Sequence, residues 1–303
     1  MNIFSLYLQK IIKIMKPINI RCAIHRFLIA IILCGLPGLF QFCSKQEIRQ
    51  SDEDWSFVVF SDTQQGYGVY SKLITHMVSF EPCPQLAVCC GDIMLRSGNE
   101  VEWLNFWRYS KPLTDKMPIF LVRGNHEGND PASEKVLHEQ MNITGNNFYY
   151  SYSVNDSYFI FLDSEIKGEE GSIVNDQLRW LNNKLNSVSL ETIVNHIFIF
   201  LHRPLFPQGF HQNSHQDNND ELHELFLEHI KIRIVFAGHE HMFNRLERDG
   251  LTYIISGGAG GKLNRGYGGD YHHFVKVSFY SKNNSINIKT IGIFNEIIED
   301  FDI

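Results

Sequence analysis

WSFVVFSDTQQGYGVYSKLITHMVSFEPCPQLAVCCGD, residues 55–92, sets two apolar, β-rich runs on either side of a helical pattern at Tyr70–Phe80. FVVF and LAVCC are almost continuously apolar, as strands buried on both faces are, and each leads into an aspartate, Asp62 or Asp92. The alternation continues outward: the helix-like NEVEWLNFWRYSKPL at 99–113 is followed by a third apolar run, PIFLVRGN at 118–125. Strands alternating with helices predict a layered α/β domain with helices over a largely parallel sheet. Further strands are expected at Phe148–Val154, Tyr158–Asp163, His196–Leu201, Ile232–Phe236, Leu251–Ile255, Phe274–Tyr280 and Ile286–Phe294, and helices at Val174–Leu185 and Glu221–Ile230.

The 303 residues, 44% hydrophobic and 13% aromatic, describe a packed globular protein and not a disordered one. The formal charge of −7 is unevenly spread: residues 1–42 hold five basic residues and no acid, so the remainder carries −12. A body that anionic does not hold nucleic acid by bulk attraction. The basic start runs into FLIAIILCGL, Phe27 to Leu36, which Pro37 and Gly38 close. That run is short for the roughly 20 residues of a membrane helix and reads as a secretory signal, with Met15 an alternative initiator. Residues 1–42 are expected to be a signal peptide or membrane-targeting leader, 43–54 a linker, 55–295 the folded domain and 296–303 an acidic tail. The expected location is extracytoplasmic: periplasmic, secreted or membrane-anchored.

Cys43, followed by Ser44 and Lys45, stands where a bacterial lipoprotein carries its lipidated cysteine, although Phe42 occupies the place of a small residue. Lipidation, simple secretion and an uncleaved anchor stay open. Cys83, Cys89 and Cys90 remain in the body, an odd number without the spacing of a disulfide framework.

Metal-ligating residue types follow the apolar runs: Asp62 and Gln64, Asp92, Asn125–His126–Glu127, His202, and His239 with His241. Taken singly, an Asp closing a strand is a turn or cap residue and a His on an apolar run is a packing residue. Their joint occurrence, mostly beside a glycine that lets the chain turn sharply, points to one site at the carboxyl ends of the strands, where open α/β sheets bind ligands.

With its DTQ, GD, GNHE, LHRP and GHEH in order, the chain resembles the calcineurin-like metallophosphoesterases, whose pattern is DxH, GD, GNH(E/D), a single His and GHxH. The resemblance covers roughly Ser56 to Phe279 and includes SGGAGG after the last ligand and the late strand HHFVKVSF. It implies an α/β sandwich of two β-sheets flanked by helices. It also implies a first metal held by Asp62, Gln64, Asp92 and His241 and a second held by Asp92, Asn125, His202 and His239, with Asp92 bridging. Two divalent or trivalent cations roughly 3.5–4 Å apart clamp phosphoryl oxygens and make a bridging hydroxide near neutral pH. The expected function is hydrolysis of a phosphomonoester or phosphodiester by that hydroxide. A non-catalytic metal-binding or sensing protein on the same fold is the rival.

Gln64 stands where the family has His, and an amide oxygen shifts preference from zinc toward manganese or iron. His126, next to a ligand, is expected to be the general acid, oriented by Glu127 or Asp62. Arg96, four residues after Asp92, and Arg123, before GNHE, match positions of phosphate-binding Arg in phosphoprotein phosphatases, a guanidinium being suited to phosphate. A salt-bridged surface Arg is the other reading of Arg96. With Asn125 and His126, Arg96 forms the expected substrate-binding set. The metal-ligating Tyr of purple acid phosphatases would fall at Leu95, which argues against a purple iron centre. His211, His215, His272 and His273 are secondary candidates for lining the cleft. Specificity is expected in the loops Gly66–Tyr70, Gly128–Thr144 and Gln208–Asn219.

Overall fold

The computed structural model describes residues 53–303 apart from 142, 144, 146 and 212–217. The expected leader, most of the linker, Cys43 and His215 therefore lie outside the described residues. The element order is β1 (Trp55–Phe60), α1 (Tyr67–Met77), β2 (Leu86–Cys89), α2 (Glu100–Thr114), β3 (Ile119–Leu121), α3 (Pro131–Met141), β4 (Tyr150–Val154) and β5 (Ser157–Phe161). It continues with α4 (Asn175–Ser189), β6 (His196–Phe200), α5 (Asn219–Leu227), β7 (Ile232–Ala237), β8 (Phe243–Arg248), β9 (Leu251–Ser256), β10 (His273–Tyr280), β11 (Ser285–Gly292) and β12 (Ile297–Asp302).

Two six-stranded sheets result, ordered β12-β11-β10-β1-β2-β3 and β4-β5-β6-β7-β9-β8. In the first, β1, β2 and β3 are parallel and β10, β11 and β12 antiparallel. In the second, β5, β6, β7 and β9 are parallel, with β4 and β8 as antiparallel edges. The two-sheet sandwich that the resemblance implies is thus present, and both sheets are mixed: the parallel strands form one half of the first sheet and the centre of the second.

Alternation along the strands divides the apolar residues among three layers. Phe57 and Val59 of β1 join Phe159, Phe198, Phe200 and Phe236 in the layer between the sheets, while Val58 and Phe60 face α1 and α2. Adjacent Cys89 and Cys90 point to opposite layers, and both are free thiols. Ile197 and Ile199 of β6 face the other way, onto α4 and α5. α1 buries Tyr70, Leu73, Ile74 and Met77, one stripe at helical spacing. At the start of α2 the Asn99 side chain accepts from Val101 N and Glu102 N, a cap that fixes where the helix begins.

Three elements differ from the expectations. The loop Gly128–Thr144 contains α3, begun by Asp130, whose Oδ1 accepts from Ala132 N at 3.0 Å and Ser133 N at 3.2 Å, with Pro131 as its first residue. β8, FNRLER, is a half-exposed edge strand with only two apolar residues, too polar to stand out in the sequence. Residues 296–303, expected as an acidic tail, supply edge strand β12. Its charge is matched by neighbours: Lys289 Nζ lies 3.4 Å from Asp300, Arg245 Nε 3.3 Å from Glu299, and the Arg245 guanidinium sits 4.0 Å from the Phe301 ring centroid.

Phe57 is buried and meets Phe159 and Phe198 edge-on, centroids 5.0 and 5.1 Å apart, so it fastens one sheet to the other. Phe57→Ala is expected to lower the unfolding free energy by about 3–5 kcal/mol, read from a urea titration. A loss under about 1 kcal/mol would contradict that role.

Candidate metal centre

The ligand-type residues sit on loops that leave the strands by sharp, unfavourable turns. Asp62, Gln64, Asp92 and His239 have φ of 59°, 37°, 52° and 69°, the left-handed region where non-glycine backbone is uncommon and costs about 1–3 kcal/mol per residue. Two neighbouring glycines allow the loops to close. A Cβ on Gly91 would lie 2.7 Å from Gly124 N and 2.8 Å from His202 Nδ1, and one on Gly238 would lie 2.7 Å from Asp62 Oδ2.

The loops converge from both sheets. Asp62, Asp92 and Asn125 follow β1, β2 and β3; His202 follows β6, and His239 and His241 follow β7. Asp92, His202 and His239 form one group whose donor atoms lie within 4.8 Å of one another, and Asp62, Asp92 and His241 form another. Asp92 belongs to both. Asn125 Oδ1 lies 3.0 Å from His202 Nε2, which is also 3.1 Å from His239 Nδ1 and 3.3 Å from Asp92 Oδ1. Gln64 Nε2 lies 3.5 Å from His241 Nε2, so a half-turn of the amide puts Oε1 at the same corner.

Backbone carbonyls set the histidine tautomers. His202 Nδ1 donates to Cys90 O at 2.8 Å and His241 Nδ1 to Lys262 O at 2.8 Å, which turns each Nε2 to the site, where it can carry a proton or give its lone pair to a cation. The residues fit cations on these grounds. Asp62 Oδ1 is buried without a hydrogen-bond partner, and 3.4 Å away is the Nε2 of His241. Protons otherwise meet the need for positive charge. Burial opposes it, but Asp92 pushes His202 up to about 10, and Asp62 pushes His241 up to about 9. Burial and the His202 charge push His239 down to about 2. Asp92 stays well below the usual carboxylate range because His202 and His126 outweigh its burial.

Glu127 has a different task. Its carboxylate accepts four backbone N–H groups, from Asp92 at 2.9 Å, Ile93 at 2.8 Å, Met94 at 3.1 Å and Gly124 at 2.7 Å, and so clamps the Asp92 turn to the GNHE turn. Burial and the Asp92 charge push it up to about 7, against those donors, which favour the ionised form. Since Glu127 is taken up by backbone and Asp62 faces His239 N at 3.1 Å and His241, neither orients His126. The orienting partner is the Leu95 carbonyl, which accepts from His126 Nδ1 at 2.9 Å and leaves Nε2 3.8 Å from Asp92 Oδ2.

That carbonyl is held in turn by Glu102, which accepts from Leu95 N at 2.7 Å, Arg96 N at 3.4 Å, Asn99 Nδ2 at 2.9 Å and Gln65 Nε2 at 3.0 Å. Glu102 was missed as a site residue. Its signal, an acid three residues into a helix capped by Asn99, is a capping-box pattern and reads as helix chemistry. Arg203 was also missed: beside His202, it forms a two-point pair with Glu165 at 2.7 and 2.9 Å.

The arginines separate. Arg96 is exposed and has no ion pair among the described residues. Arg123 is buried, with Nε on Asp163 at 2.9 Å and Nη1 on Glu134 at 2.9 Å, so its guanidinium fork is committed to the fold. Leu95 presents hydrocarbon, 40% exposed. The His211 ring lies 4.8 Å from that of His239, and His272 Nδ1 donates to Gly258 O at 2.9 Å. His273 is a buried packing residue whose burial lowers it to about 4, so it does not line the cleft.

The calcineurin-like phosphoesterase family model matches residues 56–243, more than half of the chain. Human serine/threonine-protein phosphatase CPPED1 (Homo sapiens) is 25% identical over 242 residues, covering 75% of this chain and 73% of that protein. Purple acid phosphatase 23 of Arabidopsis thaliana is 26% identical over 167 residues, 52% of this chain and 35% of that protein. Among solved structures, purple acid phosphatase PPD1 from yellow lupin (Lupinus luteus) superposes with a TM-score of 0.68 at 15% identity, over 82% of this chain and 53% of that one. At that identity the likeness speaks for the fold alone.

Glu127→Gln turns an amide N–H₂ toward backbone N–H donors. The variant is expected to lose about 1–3 kcal/mol of stability and to retain less metal after gel filtration, read by denaturant titration and elemental analysis. Unchanged stability with full metal retention would show that the clamp is dispensable.

Proposed function

Since the chain belongs to the calcineurin-like phosphoesterase family, we propose that it is a two-metal hydrolase of phosphate esters. One cation is held by Asp62, Gln64, Asp92 and His241 and the other by Asp92, Asn125, His202 and His239. The observation that carries this reading is the sharing of Asp92 by two groups of converging donor atoms. When bound, such cations supply Lewis acidity that offsets phosphoryl charge and acidifies a water. The amide of Gln64 in a set otherwise made of carboxylates, Asn and imidazoles favours manganese or iron over zinc.

The chain's own residues do the rest. His202 and His241, held by the Cys90 and Lys262 carbonyls, present fixed lone pairs and lose no orientation when they ligate. With Nδ1 committed to Leu95, His126 has only Nε2 left to exchange a proton, and at 34% side-chain exposure that atom is within reach of a substrate. In this reading Nε2–H protonates the departing oxygen. Asn125 and exposed Arg96 contact phosphate oxygens. The substrate is a phosphomonoester or phosphodiester, and the leader reading of residues 1–42 puts the reaction outside the cytoplasm. The rival, a metal-binding or sensing protein, rests on Gln64 replacing the family's His.

A panel of phosphate esters assayed with manganese, iron and zinc tests the activity, and His126→Ala tests the acid. An alkyl phosphate leaves as a basic alkoxide, so its hydrolysis should fall about 10²–10⁴-fold in the variant. A nitrophenyl ester should fall much less, with metal content unchanged. Equal losses accompanied by loss of metal would make His126 a support of the cage. Absence of turnover with every metal would favour the rival.

A further inference from the structure

A cleft of about 690 Å³ opens beside the metal centre, lined by Phe210, Lys262, Asn264, Arg265, Tyr267 and His272 together with Leu263. Both of its sides are tied to ligand-type histidines. Lys262 O and Asn264 N bond His241 Nδ1 and His241 O at 2.8 and 2.9 Å. Phe210 stands next to His211, whose ring lies 4.8 Å from His239. The Lys262 and Arg265 side chains are exposed and have no ion pair among the described residues, although the chain beyond residue 42 is strongly acidic. Phe210 and Tyr267 are 64% and 46% exposed, so much of each aromatic surface is open to solvent.

Two exposed cations with no ion pair among the described residues and two largely exposed rings have a common complement. Aromatic faces receive a flat ring, and a guanidinium or ammonium receives an anion through charge-assisted hydrogen bonds. We propose that this cleft holds the organic part of the ester and selects esters in which that part is a flat ring bearing a second negative charge. The assignment rests on the phosphoesterase reading and deepens it by naming the substrate class.

Four esters separate the two features: ethyl phosphate, phenyl phosphate, 2-carboxyethyl phosphate and 4-carboxyphenyl phosphate. In the wild type, the ring and the carboxylate should each lower KM, so that 4-carboxyphenyl phosphate has the lowest. In the Lys262→Gln/Arg265→Gln double variant, KM of each carboxylated ester should rise roughly tenfold relative to its uncarboxylated partner. Phe210→Ala should reduce the advantage of the ring-bearing pair. The proposal is overturned if the four wild-type KM values agree, or if the carboxylate advantage survives the double variant. If no ester is turned over with any metal, the phosphoesterase reading has failed instead. Calorimetric titration of 4-carboxyphenyl phosphate into wild type and double variant then decides the cleft, with equal binding counting against it.

Discussion

Asp92 and Glu127 are two buried carboxylates joined through a single backbone N–H, the Asp92 amide donating to Glu127 Oε2 at 2.9 Å. The Asp92 charge also pushes Glu127 up, and two like charges in a dry interior are tolerable only if each has its own compensation. Glu127 takes four backbone N–H groups and serves the loops. Asp92, whose Oδ1 also accepts His126 N at 3.0 Å, turns its remaining capacity toward the imidazoles of His202 and His126. Because the clamp fixes the turn, the Asp92 side chain stands where both groups of donors can use it. A cation there would satisfy several groups at once, while a proton satisfies one pair.

The donor chemistry divides between the sheets. The first sheet contributes the candidate oxygen donors, Asp62, Asp92 and Asn125, and the second contributes the imidazoles, His202, His239 and His241. Neither sheet alone holds both sets of donors, so the packing of Phe57 on Phe159 and Phe198 assembles the candidate centre as well as stabilising the fold. The strained φ angles at Asp62, Asp92 and His239 belong to the same arrangement: the chain must reverse two or three residues beyond each strand end for side chains from two layers to meet.

Much of this was legible in the sequence because its signals are local. FVVF and LAVCC read as doubly buried strands, and GD, GNHE and GHEH placed ligand-type residues immediately after apolar runs. What was not legible depends on tertiary pairing. β12 reads as a tail until Lys289 and Arg245 are seen to meet its acids, and the polar edge strand β8 has no apolar stripe to betray it. The role of Glu127 was misjudged because sequence adjacency to His126 suggests a side-chain pair, whereas its carboxylate turns back to the amides of residues 92–94. The Leu95 carbonyl is invisible as the partner of His126, since a carbonyl has no residue-type signature, and so is Glu102, which holds the backbone at Leu95.

Metal stoichiometry measures the central claim, that Asp92 serves two cations at once. Protein purified after loading with manganese or iron and freed of loose ions should contain close to two metals per chain by elemental analysis, and Asp92→Asn should contain at most one while remaining folded by circular dichroism. A wild type that binds no more than one metal, or an Asp92→Asn variant that keeps two, would contradict the shared carboxylate on which the account rests.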